Sequence, residues 1–223
     1  MSLKSVISER QKKQKQYTWK QIHIFEKDPI TPGNFQFKQV LNKIAKFIPK
    51  KFFQNIDSIY VGDFSFLNKR EAQAVYENSS IFVTNNQESI DDMCDDIIHE
   101  IAHSIEEIQT DNIYSDGMLE KEFLLKRKSL HSILKSEGYP TDLQYFMNVE
   151  YSQDFDSYLY SEIGYSALDM MSANIFYSPY AATSLREYFA NGFEAVYFYR
   201  DAHVISKLCP VLYKKIDNLF PEE

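Results

Sequence analysis

The spacing of hydrophobic positions changes character along the chain, from strand-like runs to helical periodicity. Residues 37–48 carry apolar side chains three or four positions apart and predict an amphipathic helix, which Pro49 ends. The short apolar run at 58–62 predicts a buried strand. Two β-branched and aromatic runs, 74–78 and 80–84, flank a polar turn sequence and predict a β-hairpin.

From Ser89 onward the apolar spacing becomes helical. Ser89 and Asp92 resemble a capping box and predict a helix over about 90–109. The segment 25–35, with two prolines and a glycine, is predicted as a loop. Further helical patterns cover 117–138, part of 165–176, 184–200 and 204–220. Because strands precede helices, the predicted class is α+β, with a small N-terminal mixed sheet and a helical C-terminal half.

Composition narrows the classes of function. The 223 residues suit one domain, and 44% hydrophobic with 25% charged residues is usual for a globular chain. The net charge of −8 argues against general binding to nucleic acids. Residues 1–20 hold six lysines or arginines against one glutamate and predict a basic N-terminal tail. Residues 21–223 are then predicted to form a single domain.

The chain shows no sign of a targeting or membrane segment. Neither its start nor any later stretch has the apolar run of a signal peptide or a membrane span. We therefore expect no membrane contact and a cytoplasmic location, or export by a leaderless route. Cys94 and Cys209 lie far apart among apolar residues and predict buried free thiols, not a disulfide.

The sequence HEIAH at residues 99–103 carries the candidate chemistry. Residues four apart on a helix share one face, so His99 and His103 can bind the same metal ion. Glu100 lies one step round the helix, where it can act as general base toward a water on that metal. HExxH also occurs by chance, but the apolar residues around it indicate a buried helix, in which histidines need partners.

A catalytic zinc normally has three protein ligands, so one more ligand is required. Gln109 stands six residues after His103, where another class of zinc peptidase has its third histidine, and this excludes that class. The downstream candidates are Glu120, Glu122, Glu137, Glu150, Glu162, Glu187 and Glu194. Glu187 is favoured because its helix is apolar and a carboxylate there needs a partner. The alternative is that Glu187 only caps the helix together with Ser184.

HEIAH and the later sequence YAATSLREYFANGFEAVYF together resemble the catalytic domain of the anthrax lethal factor family, within the gluzincin zinc peptidases. In that family a tyrosine lies seven residues before a glutamate, as Tyr180 lies before Glu187. The resemblance implies a zincin-like fold with zinc bound by His99, His103 and Glu187. It also implies that the Tyr180 hydroxyl, not that of nearby Tyr177, assists the reaction.

The resemblance covers about half of the chain. The segment 110–174 does not align and is expected to be an insertion or a lid. Members of this group often have an acid four residues after the ligand glutamate, where it orients a zinc histidine. Asn191 occupies that position here and carries no charge, so Asp95 or Asp96 is the alternative partner.

The sequence thus predicts a zinc-dependent endopeptidase with one Zn²⁺ per chain, Glu100 as general base, and a peptide or protein substrate. The strand at 80–84 is expected to flank the cleft and pair with the substrate backbone, and the acidic chain to favour basic peptides. Two alternatives stay open. One is a non-catalytic binding module of a toxin-like or effector system, which Asn191 favours. The other is a zinc hydrolase of a non-peptide amide. No metal is expected at His23, His131 or His203.

Overall fold

A computed structural model describes residues 14–220 of the chain. The chain forms two compact units that divide between Ile108 and Gln109. Of the predicted basic tail, residues 1–13 lie outside the described residues. Residues Lys15–Trp19 form a strand, so this part of the predicted tail belongs to a sheet.

A five-stranded mixed sheet forms the base of the first unit, in the order β1-β2-β4-β6-β5. Its strands are β1 (Lys15–Trp19), β2 (Ile22–Glu26), β4 (Ser58–Gly62), β5 (Ala74–Glu77) and β6 (Ser80–Thr84). Strands β2, β4 and β6 run parallel to one another, and β1 and β5 pair antiparallel at the two edges. A separate parallel pair joins β3 (Thr31–Pro32) to β7 (Asn86–Gln87). Strand β3 lies inside the segment 25–35, which is predicted as a loop.

The predicted hairpin at 74–84 is confirmed. Its two turn residues, Asn78 and Ser79, have φ values of 51° and 57°. Two successive residues of positive φ give the turn whose twist matches that of paired strands, and asparagine tolerates this conformation well. The β1–β2 hairpin has the same construction at Lys20 and Gln21, yet it escaped the sequence analysis because the strands lie in a charged segment.

One face of the sheet supplies the apolar core of the first unit. The inward side chains alternate along the three central strands and are Ile22, Ile24, Ile59, Val61, Ile81 and Val83. Helix α1 (Phe37–Phe47) adds four more buried residues at helical spacing, as predicted. A 3₁₀ turn (Lys50–Phe53) and helix α2 (Ser65–Arg70) complete the connections between strands.

The rest of the chain is helical, so the α+β class is confirmed. Helix α3 spans Ile90–Tyr114 and ends beyond the predicted residue 109. The following helices are α4 (Met118–Ser136), α5 (Leu143–Phe146), α6 (Gln153–Ser157), α7 (Tyr165–Ser172), α8 (Leu185–Tyr197), α9 (Ala202–Leu208) and α10 (Pro210–Asp217). A π-helical turn covers Tyr158–Ile163 and a 3₁₀ turn covers Tyr180–Ala182.

The segment 110–174, predicted to be an insertion or a lid, belongs to the core of the second unit. It contributes helices α4 to α7, and α4 packs against α5, α7, α8 and α10. Buried side chains from this segment include Phe123, Leu130, Phe146 and Leu159. The second unit therefore depends on this segment for its own packing.

Arg127 on α4 organises the second unit around a buried charge. Its side chain is 1% exposed, and its guanidinium lies 3.9 Å from the centre of the Phe155 ring. The guanidinium donates hydrogen bonds to the backbone carbonyls of Tyr145, Phe146, Asn148, Ala182 and Thr183. Burial lowers the pKa of Arg127 to about 9, so the group remains a cation at neutral pH.

The five carbonyls belong to two segments that are distant in sequence, 145–148 and 182–183. The second of these leads directly into α8, which carries Glu187. A backbone hydrogen bond from Leu185 N–H to the Val149 carbonyl, 2.8 Å long, joins the same two segments. Arg127 therefore fixes the approach of the chain to α8.

Replacing Arg127 by methionine keeps the apolar stem but removes every donor. Each buried carbonyl left without a partner costs about 1–3 kcal/mol, so we expect a loss of roughly 3–5 kcal/mol in the free energy of unfolding. Denaturant unfolding measures this loss. The exposed neighbour Lys128→Met is the control and should change stability by no more than about 0.5 kcal/mol. Equal unfolding midpoints for the two variants would contradict the role given to Arg127.

Candidate metal centre

Helix α3 buries an unusual number of polar side chains. Glu100, His103, Ser104 and Glu106 are all at most 8% exposed, and they lie among fully buried isoleucines. The helix begins as predicted, because the Asp92 N–H donates to Ser89 Oγ at 3.1 Å. Buried polar groups are costly unless they are hydrogen-bonded or bind an ion, so each of these side chains needs a partner.

The side chains of His99, His103 and Glu187 form a cluster that can hold a metal ion. Each offers one ligand atom, and these three atoms lie within 4.8 Å of one another. In a tetrahedral site with metal–ligand bonds of about 2.0–2.1 Å, ligand atoms are roughly 3.3 Å apart, which this upper limit accommodates. The cluster combines two imidazoles with one carboxylate, a donor set that divalent transition metals bind well.

The orientation of His103 is set by a carboxylate that the sequence analysis missed. The Nδ1 atom of His103 lies 3.0 Å from Glu106 Oε2, and both side chains are buried. When Nδ1–H donates to this carboxylate, the lone pair of Nε2 is left for a metal, and the ring becomes a more basic ligand. The spacing of three residues on one helix was visible in the sequence and could have identified Glu106.

Asn191 has different partners from those considered in the sequence analysis. Its Oδ1 accepts a hydrogen bond from Ser178 Oγ at 3.0 Å, and its Nδ2 donates to Glu194 Oε2 at 3.2 Å. These bonds engage both ends of the amide within the second unit. Asp96, one of the alternative candidates, accepts a bond of 2.7 Å from Gln87 Nε2. Glu106, one helical turn after His103, is a carboxylate that orients a histidine of the cluster.

Glu100 is held by the backbone of strand β5. Its Oε2 accepts a hydrogen bond of 2.6 Å from the Tyr76 N–H. The Tyr76 hydroxyl donates to Glu107, and Asn55 Nδ2 donates to that hydroxyl at 2.7 Å. Burial and the bond to Glu107 raise the pKa of Tyr76 to about 12, which keeps its hydroxyl protonated. Tyr76 thus ties β5 to α3 through both its backbone and its side chain.

The strand at 80–84 cannot pair with a substrate, which corrects the sequence analysis. Strand β6 lies between β4 and β5, so both of its edges are already paired. Strand β5 is the edge strand instead. Residues along an antiparallel edge alternate between facing the partner and facing outward. Because the Tyr76 N–H reaches Glu100, the outward positions of β5 are Ala74 and Tyr76.

Glu187 lies in the first turn of α8, and its two predicted alternatives are metal binding and helix capping. Ser184 caps the helix, since its Oγ accepts a bond of 3.1 Å from the Glu187 N–H. This bond uses only the backbone of Glu187, and the carboxylate belongs to the cluster with the histidines. Capping and metal binding are therefore compatible at this residue.

The structure distinguishes the two tyrosines before α8. The Tyr177 hydroxyl donates to Asp201 Oδ2 at 2.6 Å. Tyr180 begins the 3₁₀ turn, and its pKa is raised by burial and then by the negative charge of Glu187. The Tyr180 hydroxyl is therefore protonated at neutral pH.

Comparisons of the chain with models of known protein families, with curated proteins and with solved structures find no match. Across residues 14–220, no helix is both long enough and apolar enough to cross a bilayer. Among the same residues, the metal cluster includes neither His23, His131 nor His203. His131 packs its ring against Phe146 at 5.1 Å, and the other two are exposed.

The cluster predicts stoichiometric metal binding. We expect wild-type protein to bind one divalent ion per chain, with His103→Ala losing it and the exposed His203→Ala keeping it. Glu106→Gln should weaken metal affinity by about 10- to 100-fold, the usual effect of removing a carboxylate that orients a histidine ligand. Elemental analysis and chelator competition measure these effects. Equal metal content in His103→Ala and His203→Ala would exclude the cluster as the site.

Proposed function

We propose that the protein is a zinc-dependent endopeptidase with a zincin-like fold, similar to the lethal factor family. The observation that carries the proposal is the cluster of His99, His103 and Glu187, together with the buried carboxylate of Glu100 on the helix that holds both histidines. Two histidines and one glutamate are the ligand set of catalytic zinc in peptidases of the thermolysin type. Zinc bound there would polarise a substrate carbonyl and make a water molecule more acidic.

Glu100 would act as the general base. It follows the first histidine of the cluster, and its Oε2 is oriented by the Tyr76 N–H at 2.6 Å. A carboxylate held in one orientation can accept the proton of the attacking water and deliver it to the leaving nitrogen. Tyr76 thereby connects the position of the base to that of the edge strand.

Strand β5 would bind the backbone of the substrate. The carbonyl of Tyr76 and both backbone polar groups of Ala74 point away from β6, since the Tyr76 N–H does so. An extended peptide can add to such an edge as a further strand. This geometry favours a peptide over a small non-peptide amide as substrate.

Tyr180 would supply a hydrogen-bond donor to the reaction. Its hydroxyl is kept protonated by burial and by Glu187, as the raised pKa indicates. A neutral phenol can donate to the oxyanion that develops on the substrate carbonyl or to the leaving group. Tyr177 is engaged with Asp201 and has no such role in the proposal.

The non-catalytic alternative loses its main support. It rested on Asn191, an uncharged residue in place of an acid that orients a ligand. Glu106 supplies that carboxylate from α3 itself, at 3.0 Å from His103. A structural metal site also has no need of a general base held beside it, as Glu100 is held by Tyr76.

Replacing Glu100 by glutamine tests the base directly. The amide has nearly the same shape but cannot accept a proton, so peptide cleavage should fall by about two to four orders of magnitude. Metal content and thermal stability should stay close to those of wild type. Glu120→Gln, an exposed change at the start of α4, is the control and should retain full activity. Cleavage of a peptide library at the wild-type rate by Glu100→Gln would refute the mechanism.

Tyr180→Phe and Tyr177→Phe form a matched pair that differs only in which hydroxyl is lost. We expect Tyr180→Phe to reduce kcat by about 10- to 1000-fold, the range for one transition-state donor. Tyr177→Phe loses its bond to Asp201 and about 1 kcal/mol of stability, with no change in rate. Both variants should keep their metal. Rates that are equal in the two variants would show that Tyr180 only packs against its neighbours.

A further inference from the structure

Asp156 on α6 stands at the centre of a tyrosine cluster in the second unit. Its half-buried carboxylate accepts a hydrogen bond from the Tyr151 hydroxyl at 2.9 Å and another from the Tyr165 hydroxyl at 3.1 Å. The two phenols bind different oxygens of the carboxylate. They therefore hold Asp156 in a fixed orientation, while a carboxylate with about four acceptor positions retains room for further donors.

This carboxylate has no counter-ion of its own. Across residues 14–220, no lysine or arginine side chain forms an ion pair with Asp156. Arg127 stacks on the adjacent Phe155, yet its five hydrogen bonds all go to backbone carbonyls. A carboxylate that has hydrogen bonds but no counter-ion is a candidate for binding an oppositely charged ligand.

The cluster lies beside the metal ligand of the second unit. The pKa values of Tyr151, Tyr165 and Tyr180 are all raised, first by burial and then by the charges of Asp156 and Glu187. The Leu185 N–H donates to the Val149 carbonyl at 2.8 Å, so the segment that leads to Tyr151 lies against the start of α8, where Glu187 is placed. Asp156 and Glu187 therefore border one common region.

The aromatic rings around Asp156 suit a long cationic side chain. Tyr151 is 50% exposed, and Tyr160, 65% exposed, packs edge-on against Tyr165 at 5.3 Å between ring centres. Lysine and arginine bury their aliphatic stems on apolar surface and place their charged ends in polar surroundings. Aromatic faces also attract the charge itself.

We propose that Asp156, with the rings of Tyr151 and Tyr165, forms a subsite for a lysine or arginine side chain near the scissile bond of the substrate. The inference rests on the proposed peptidase function, whose active site would include Glu187. The cationic end donates to the remaining acceptor positions of Asp156, and the stem lies along the exposed ring of Tyr151. The substrate class is then a basic peptide.

The test uses capped octapeptides of alanine and glycine with a single arginine at each position in turn, and matched sets with glutamine or glutamate at the same position. Cleavage by the full-length zinc-loaded protein is measured by mass spectrometry. Binding of labelled peptides to Glu100→Gln is measured by fluorescence anisotropy, which requires no turnover. Thermal unfolding of every variant checks its fold.

We expect wild type to cleave the best arginine peptide about 10- to 100-fold faster, in kcat/KM, than its glutamine counterpart, as one charge-assisted contact allows. Asp156→Asn should bring this ratio close to one and weaken binding of the same peptide to a similar extent. Asp154→Asn removes an exposed acid from the same helix and should leave the ratio unchanged. Asp156→Lys should reverse the preference in favour of the glutamate peptide.

A second variant covers the case in which Asp156→Asn does not fold. Tyr151→Ala removes a half-exposed ring and should lower the arginine preference severalfold with the fold intact. Cleavage that ignores arginine, or a preference that survives both substitutions, overturns the subsite and leaves the peptidase standing. Arginine-selective binding that depends on Asp156, with no peptide cleaved, supports the subsite and overturns the peptidase. Absence of both cleavage and selective binding overturns both.

Discussion

The stability of each unit depends on hydrogen bonds to the polar groups that are buried in its apolar interior. An unpaired buried carboxylate, imidazole or guanidinium costs several kcal/mol, which is a large share of the stability of a small protein. In the second unit, Arg127 meets this demand with five backbone carbonyls. In the first unit, Glu100 and His103 meet it with Tyr76 and Glu106. These partnerships determine where the functional side chains point.

The same requirement links folding to the proposed chemistry. Glu106 engages Nδ1 of His103 and so leaves the other ring nitrogen available to bind a metal. Tyr76 engages Oε2 of Glu100 and so leaves the other oxygen available to accept a proton in the proposed reaction. Within the second unit, Arg127 anchors the segment that separates Tyr180 from Glu187. A site assembled from groups that are already oriented needs little rearrangement when substrate binds, which is a general condition for efficient catalysis.

Several elements were predictable because their causes are local. Helix α1, strand β4, the β5–β6 hairpin and helix α8 follow from apolar spacing and turn residues within each segment. Strands β1 and β2 were not predicted, because their charged and polar residues obscure the alternation of buried and exposed positions that identifies a strand. The sequence predicts β6 as the strand that borders the substrate, because no local pattern tells which strand of a hairpin lies at the edge of a sheet.

By itself the sequence determined the class of the fold and the position of HEIAH on a buried helix, and it favoured Glu187 among seven downstream glutamates. These conclusions follow from residue type and spacing along one element. Only the tertiary structure decided that Asn191 bonds to Ser178 and Glu194, that Tyr76 holds Glu100, and that the segment leading to Tyr151 lies against the start of α8. The physical reason is that most of these contacts join residues distant in sequence, and packing alone brings such residues together.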